Sequence, residues 1–207
     1  MEEVYAKLRG RFVFGKWQKH HGKYSGKVVE QDISTYEVTY HQIPDIEASI
    51  RTVTLAKEQQ VMSPDSLIDA SVAAELRSIV GSAAYFARES RPDIAGEAAI
   101  CQGMFPRPMI KDLAVMNRMF KKLIQRPVKI TYRYVNEPRW LLQSDAAWAN
   151  VVQQGLREET CEVEKVLGQA GWIVALTSKE GEDGVDTTFN LMGWRSHHID
   201  RHVPATS

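Results

Sequence analysis

The spacing of apolar positions changes along the chain, and each change marks a new kind of element. Through the first sixty residues the runs are short. "RFVFG", "YSGKVVEQ" and "YEVTYHQI" are rich in Val, Tyr and Phe and are broken by Gly and Asp, which predicts short strands. "PDIEASIRTVTLAKEQQ" predicts one modest helix after Pro44, and "MSPDS" at 62–66 predicts a loop. A helical block follows. Val72, Leu76, Ile79, Val80, Ala83, Phe86 and Ala87 recur at three- and four-residue spacing, so one face is apolar. Gly81, Ser82, Ala83 and Ala84 leave a smooth patch that another backbone could approach closely. Pro92 disfavours helical geometry in Arg91 and ends this helix near "ESRPD". Pro92 also suits the first turn of a second helix, whose inner face is Ile94, Ala98, Cys101 and Phe105. A third helix runs from Ile110 to Gln125, with Ile110, Leu113, Phe120, Leu123 and Ile124 along one side. After "RP" at 126–127 the period falls from about 3.6 to 2. "VKITYRYV", "RWLLQSDA", "GQAGWIVALTS" and "FNLMGWRSHH" then predict four strands, paired antiparallel in part, with "KEGEDGVD" as a hairpin tip. The expected fold class is α+β.

Charge sharpens this picture. The 207 residues balance to a formal net charge of zero, which argues against one large polyanion-binding surface. The charge is segregated, however. Between Lys7 and Lys27 there are seven Lys or Arg and no acid, and between Arg107 and Arg133 only Asp112 opposes the cations. Acids collect later, in "REETCEVEK" and "KEGEDGVD". At about 100° per residue, Lys111, Arg118 and Lys122 fall in a narrow arc of the third helix, opposite its apolar side, with Arg126 close by. A cationic ridge of this kind can track a phosphate backbone, and it is equally the solvated face of any amphipathic helix. No run of about 18 apolar residues occurs, and the N-terminus lacks the apolar core of a secretory signal. Cys101 and Cys161 stand alone, which fits inert thiols in the cytoplasm or nucleus.

Several standard sites are excluded by motif: no GxGxxG or Walker loop, no GxSxG elbow and no HExxH helix. "SHHIDRH" brings His197, His198 and His202 close in sequence, but neighbouring strand residues point to opposite faces, so one metal cannot hold both of the first two undistorted. Asp145 in "SDAAWAN" remains. It is expected to end the strand "RWLLQ", where an Asp either opens a turn or offers a metal ligand from a rigid element. Two-metal nucleases need several carboxylates converging on a pair of Mg²⁺ ions, so a lone Asp is a weak signal.

Longer blocks carry a resemblance. "LRSIVGSAAYFARESRPDIAGEAA" resembles a segment of copia-type retrotransposon Pol polyproteins, with Leu76, Val80, Gly81, Ser82, Tyr85 and the run Arg91–Ala95 matching. "SDAAWAN" is similar to that family's S-D-A-x-W-A. "GWIVALTS" and "LMGWRSHHIDRHVPATS" resemble its later G-Y-x-x-x-L and I-S-W-x-S-K-K-Q segments in the same order. More loosely, "FVFGKW" and "YSGKVVEQ" resemble the end of the polymerase palm. The family joins a reverse transcriptase to RNase H. The resemblance therefore implies a β-rich palm remnant over 1–62, a three-helix thumb- or connection-like block over 63–127, and the opening antiparallel strands of an incomplete RNase H-like fold over 128–207. It implies Asp145 as the first RNase H carboxylate and a Mg²⁺ ligand, and adds Arg195 to Lys111, Arg118, Lys122 and Arg126 as backbone contacts. It implies Mg²⁺ as cofactor and an RNA–DNA hybrid or duplex as partner, with the rest of the Pol polyprotein where the frame continues. The family's next acid is expected beyond Ser207, and no adjacent Asp pair occurs for a palm site. The expectation is therefore a fragment without turnover that keeps backbone binding. A non-enzymatic nucleic-acid-binding module and a non-functional decayed element are the alternatives. "KEGEDGVDTTF" and "HHID" depart from the family pattern, which expects a shorter hairpin and a Lys-rich segment.

Overall fold

Ser25 and Gly26 both take positive φ, 50° and 77°, and this tight turn joins β1 (His21–Tyr24) to β2 (Lys27–Gln31). A Cβ added to Gly26 would lie 3.0 Å from Oδ2 of Asp45, so the turn needs glycine for space as well as for φ. β3 (Val38–His41) and β4 (Ile130–Tyr132) extend the hairpin to a four-stranded antiparallel sheet of order β1-β2-β3-β4. In the computed structural model, which describes residues 2–12, 18–154, 164–182 and 187–199, a second antiparallel sheet has order β5-β6-β7. Its strands are β5 (Arg139–Gln154), β6 (Glu164–Thr177) and β7 (Phe189–Ile199). The expected α+β class with antiparallel strands is the observed one.

Inserted in sequence between β3 and β4 of the first sheet lies the helical block: α4 (Ala70–Glu89), a 3₁₀ turn at Pro92–Ile94 running into α5 (Ala95–Gly103), and α6 (Ile110–Gln125). Leu76, Ile79, Val80, Ala83, Phe86 and Ala87 of α4 are all buried, as their spacing predicts. They meet Ile94, Ala98 and Cys101 and, on α6, Leu113, Met116, Met119, Phe120 and Leu123. Burial raises the pKa of the Cys101 thiol to about 12, so it is held as an inert thiol. Ile124, predicted on the inner side of α6, is exposed, and Met116 and Met119 take that inner face instead. Gly81 meets no neighbour within 4 Å, so no backbone approaches the small-residue patch there.

Five expectations are corrected. The chain opens with a helix, α1 (Glu2–Arg11), where only strands were expected, and Glu3 and Lys7 pair one turn apart at 3.0 Å. The single helix expected over 44–60 is two short ones, α2 (Ile43–Ser49) and α3 (Lys57–Gln60). Between them Val53 and Leu55 are buried and alternate with exposed Thr52 and Thr54, the pattern of an extended segment. Asn117 of α6 straps that segment down, donating to the Val53 carbonyl at 2.8 Å and accepting from the Val53 N–H at 2.9 Å. The strand at 130–132 pairs with β3 in the first sheet instead of joining the later strands. Finally, Asp145 does not end a strand. β5 runs straight through it, because pairing with Gly171 on β6 overrides the local turn preference of aspartate. The predicted tip at 179–186 begins with the short helix α7 (Lys179–Glu182). Residues 13–15 of the first predicted strand, Cys161, His202 and the rest of that tip lie outside the described residues.

The two sheets are tied by Asn190. Its side chain accepts from the Arg133 N–H at 2.9 Å and donates to the Arg133 carbonyl at 2.7 Å, so β7 is held to the residue that follows β4. No helix among the described residues is long and apolar enough to cross a membrane.

Candidate functional site

The R-P-D run sits at the junction of all three long helices. Arg91 is wholly buried and forms a two-pronged pair with Asp93, Nε to Oδ1 at 2.8 Å and Nη2 to Oδ2 at 2.9 Å. Its Nη1 donates to the Leu123 carbonyl at 3.0 Å, so the guanidinium also caps the C-terminal turn of α6. Burial of Asp93 works to raise its pKa, and the hydrogen bonds and charge of Arg91, helped by Lys122, outweigh burial and leave it below the ordinary value. These three residues, Arg91, Pro92 and Asp93, fix where α5 begins and where α6 ends.

The four cations of the predicted ridge divide into two pairs. Lys111 is bonded to Asp65 at 2.7 Å, a contact that raises its pKa. Lys122 donates to the Asp93 carbonyl at 2.7 Å and lies 3.5 Å from Glu97. Arg118 and Arg126 are exposed and make no ion pair among the described residues. The ridge therefore exists as spacing predicts, but half of its charge is already matched within the chain.

Asp145 opens on a cleft of about 420 Å³ between the N-terminal end of α5 and the second sheet. Pro92 and Gly96 line one side, and Gln169, Trp194 and Arg195 the other. Register explains the sheet side: Asp145, Gly171 and Ser196 stand directly opposite one another on β5, β6 and β7. Two bonds clamp the sheet to the helices. The buried indole of Trp194 donates to the Ala87 carbonyl of α4 at 2.6 Å, and Gln169 reaches the Gly96 carbonyl at 3.4 Å and Ser196 Oγ at 2.7 Å. Asp145 is exposed, and its Oδ1 accepts the N–H of Ala146 at 2.8 Å.

The donor set at this cleft does not fit a two-metal centre. Among the described residues Asp145 is the one acid that lines it, and no three His, Cys, Asp or Glu converge anywhere among them. Arg195, predicted only through the resemblance, is exposed on the wall of this cleft and of a second one beside it.

That neighbouring cleft, of about 430 Å³ between α4, α5 and β7, was not anticipated. Tyr85, Arg88 and Gln102 line it from the helices, and Arg195 and His197 from β7. A helical signal for it exists in sequence, since Gly81, Ala84, Tyr85 and Arg88 follow the i, i+3, i+4, i+7 rule. The β7 residues are more than a hundred positions away and give no such signal. No protein-family model, curated protein or solved structure matches this chain.

Proposed function

We propose that this chain is part of a copia-type Pol polyprotein, running from the C-terminal part of the reverse transcriptase into an RNase H-like sheet, and that it binds the backbone of an RNA–DNA hybrid or duplex. One observation carries the reading. Four of the blocks on which the resemblance rests are separate in sequence and meet at a single cleft: Pro92 and Ala95, Ser144 and Asp145, Gly171 to Ile173, and Trp194 to Ser196 all line it. The antiparallel order β5-β6-β7, with Asp145 on the first of these strands, supports the RNase H-like part.

Backbone contact falls to the exposed Arg118 and Arg126, with Arg195 at the cleft. Guanidinium groups suit phosphate because their planar forks match its oxygens. One described carboxylate holds too few ligands for a pair of Mg²⁺ ions, so no metal-dependent step is assigned to the described residues. In a cell this reading puts the chain in the cytoplasm or nucleus, where such hybrids form.

The test is binding of a labelled RNA–DNA hybrid at stepped salt concentration, with RNA cleavage in Mg²⁺ followed in the same samples. Salt-sensitive binding without cleavage is expected. Cleavage that Asp145→Asn abolishes would contradict the assignment of binding without turnover. The alternative of a decayed element has an observation of its own: Trp140 and Leu142 on β5 are 68% and 70% exposed. It predicts no hybrid binding at any salt concentration.

A further inference from the structure

The outer edge of β5 is an open template for another strand. β5 stands at the end of the order β5-β6-β7, and every residue on it from Arg139 to Ala146 is exposed. Sheet edges are ordinarily blunted by lysine, proline, a bulge or a covering element. From Arg139 to Asp145 there is no lysine and no proline, and the register with β6 is unbroken. We infer that a second copy of this chain pairs antiparallel with this edge, about a twofold axis at Leu142, and joins the two sheets into one. Nothing in this pairing depends on the nucleic-acid reading above.

The occupant follows from the edge itself, which is complementary to its own copy. With the axis at Leu142, that residue meets its counterpart, Trp140 meets Ser144, Leu141 meets Gln143 and Arg139 meets Asp145. By symmetry each unlike pair forms twice. Residues directly opposite in a sheet share a face, so the neighbouring registers are centred on Leu141 or Gln143. The first would set Glu137 against Asp145, and the second would set Leu141 against Asp145. Only the register at Leu142 gives both charges an opposite partner. The two faces of the sheet agree with it. Gln143, Ile173 and Trp194 share one rung, so Arg139, Leu141 and Asp145 alternate onto the face whose Trp194 packs on the helices. Trp140 and Leu142 lie on the other face, 68% and 70% exposed, and Trp172 continues the apolar strip on β6. Pairing brings the two Leu142 side chains together and sets each Trp140 diagonal to the other copy's Leu142, within reach of an aromatic ring. On the helix side, Arg139 of the second copy arrives beside Asp145, at the cleft of about 420 Å³. Within one chain the same two residues are separated along an extended strand by roughly 20 Å, too far to pair with each other.

Sedimentation equilibrium of the full chain over a range of concentrations is the test. A monomer–dimer equilibrium is expected, and a weak one, because a short paired edge buries less than a standard interface. Leu142→Lys sets a charge against its own copy at the axis and should abolish the dimer. Leu142 is largely exposed, so the circular dichroism spectrum should not change. Arg139→Asp and Asp145→Arg should each weaken association by about tenfold, since each sets like charges opposite one another twice. The double variant exchanges the two charges and should restore the dimer. A local structural effect of either substitution would not be rescued by the other, given their separation within one chain. A monomer at every concentration would overturn the inference and leave the edge to another segment of this chain or to a different protein. A dimer indifferent to Leu142→Lys, charge reversals without rescue, or growth beyond the dimer would overturn it as well.

Discussion

Arg91 ties two helices together from a buried position. It is 0% exposed, pairs with Asp93 and donates to the Leu123 carbonyl, so it joins the start of α5 to the end of α6. Arg91→Ala should cost about 1.5–3 kcal/mol, the range for lost hydrogen bonds to a charged group and less than for a fully buried pair because Asp93 is 31% exposed, read from urea unfolding. A Lys at this position keeps the charge but not the fork and should recover little of that loss. Asp93 adds a pH dependence. Its folded pKa lies below the ordinary 3.8, so its contribution is complete above that value and is lost as pH falls through the folded one. Asp93→Asn should flatten the acid limb of stability against pH; an unchanged limb would mean that other carboxylates control it. In sequence, "RPD" is legible as a helix break followed by a helix start, and both are found. The role of Arg91 is not legible, because the carbonyl it caps belongs to a residue 32 positions later.

Among the elements, the long helices were the most legible. α6 has the predicted ends, and the inner face of α4 is the predicted set, because an amphipathic stripe over several turns leaves little choice of period. Legibility failed where a distant partner decides the local structure. The 50–56 segment is extended because Asn117 satisfies both backbone groups of Val53. β5 continues through Asp145 because β6 pairs with it on both sides of that residue. Met116 and Met119 were passed over because the flexible thioether does not mark a face as clearly as Leu or Phe does, yet it fills a core well. Gly81 gives a prediction at this scale. It lies inside α4 with nothing within 4 Å of an added Cβ, so Gly81→Ala should stabilise the chain by about 0.5–1 kcal/mol through helix propensity alone. A thermal midpoint that falls would show that the glycine has a neighbour or backbone geometry unlike that described.

At the scale of the molecule, the helical block is the pivot. Trp194 and Gln169 bring the second sheet to α4 and α5, and Asn190 joins it to the residue after β4. The Trp194 and Gln169 bonds hold the sheet against the helices where both clefts lie, and none of the three could be paired from sequence, since each links residues from 57 to 107 positions apart. The sites were therefore legible as residue types, not as a constellation. Asp145 and Arg195 were named, while their shared cleft and the neighbouring one were not. Charge follows the same rule. The ridge on α6 was legible as an arc, but its pairing to Asp65 and Glu97 was not. That pairing makes the account testable, because the four cations should contribute unequally. The most direct measurement is the slope of log affinity for an RNA–DNA hybrid against log salt concentration, in the wild-type chain and in single variants. Arg118→Gln and Arg126→Gln should each lower the slope by about one, as the loss of a phosphate contact does, and Lys111→Gln should change it far less. Equal effects at all three positions, or binding indifferent to salt, would contradict the account.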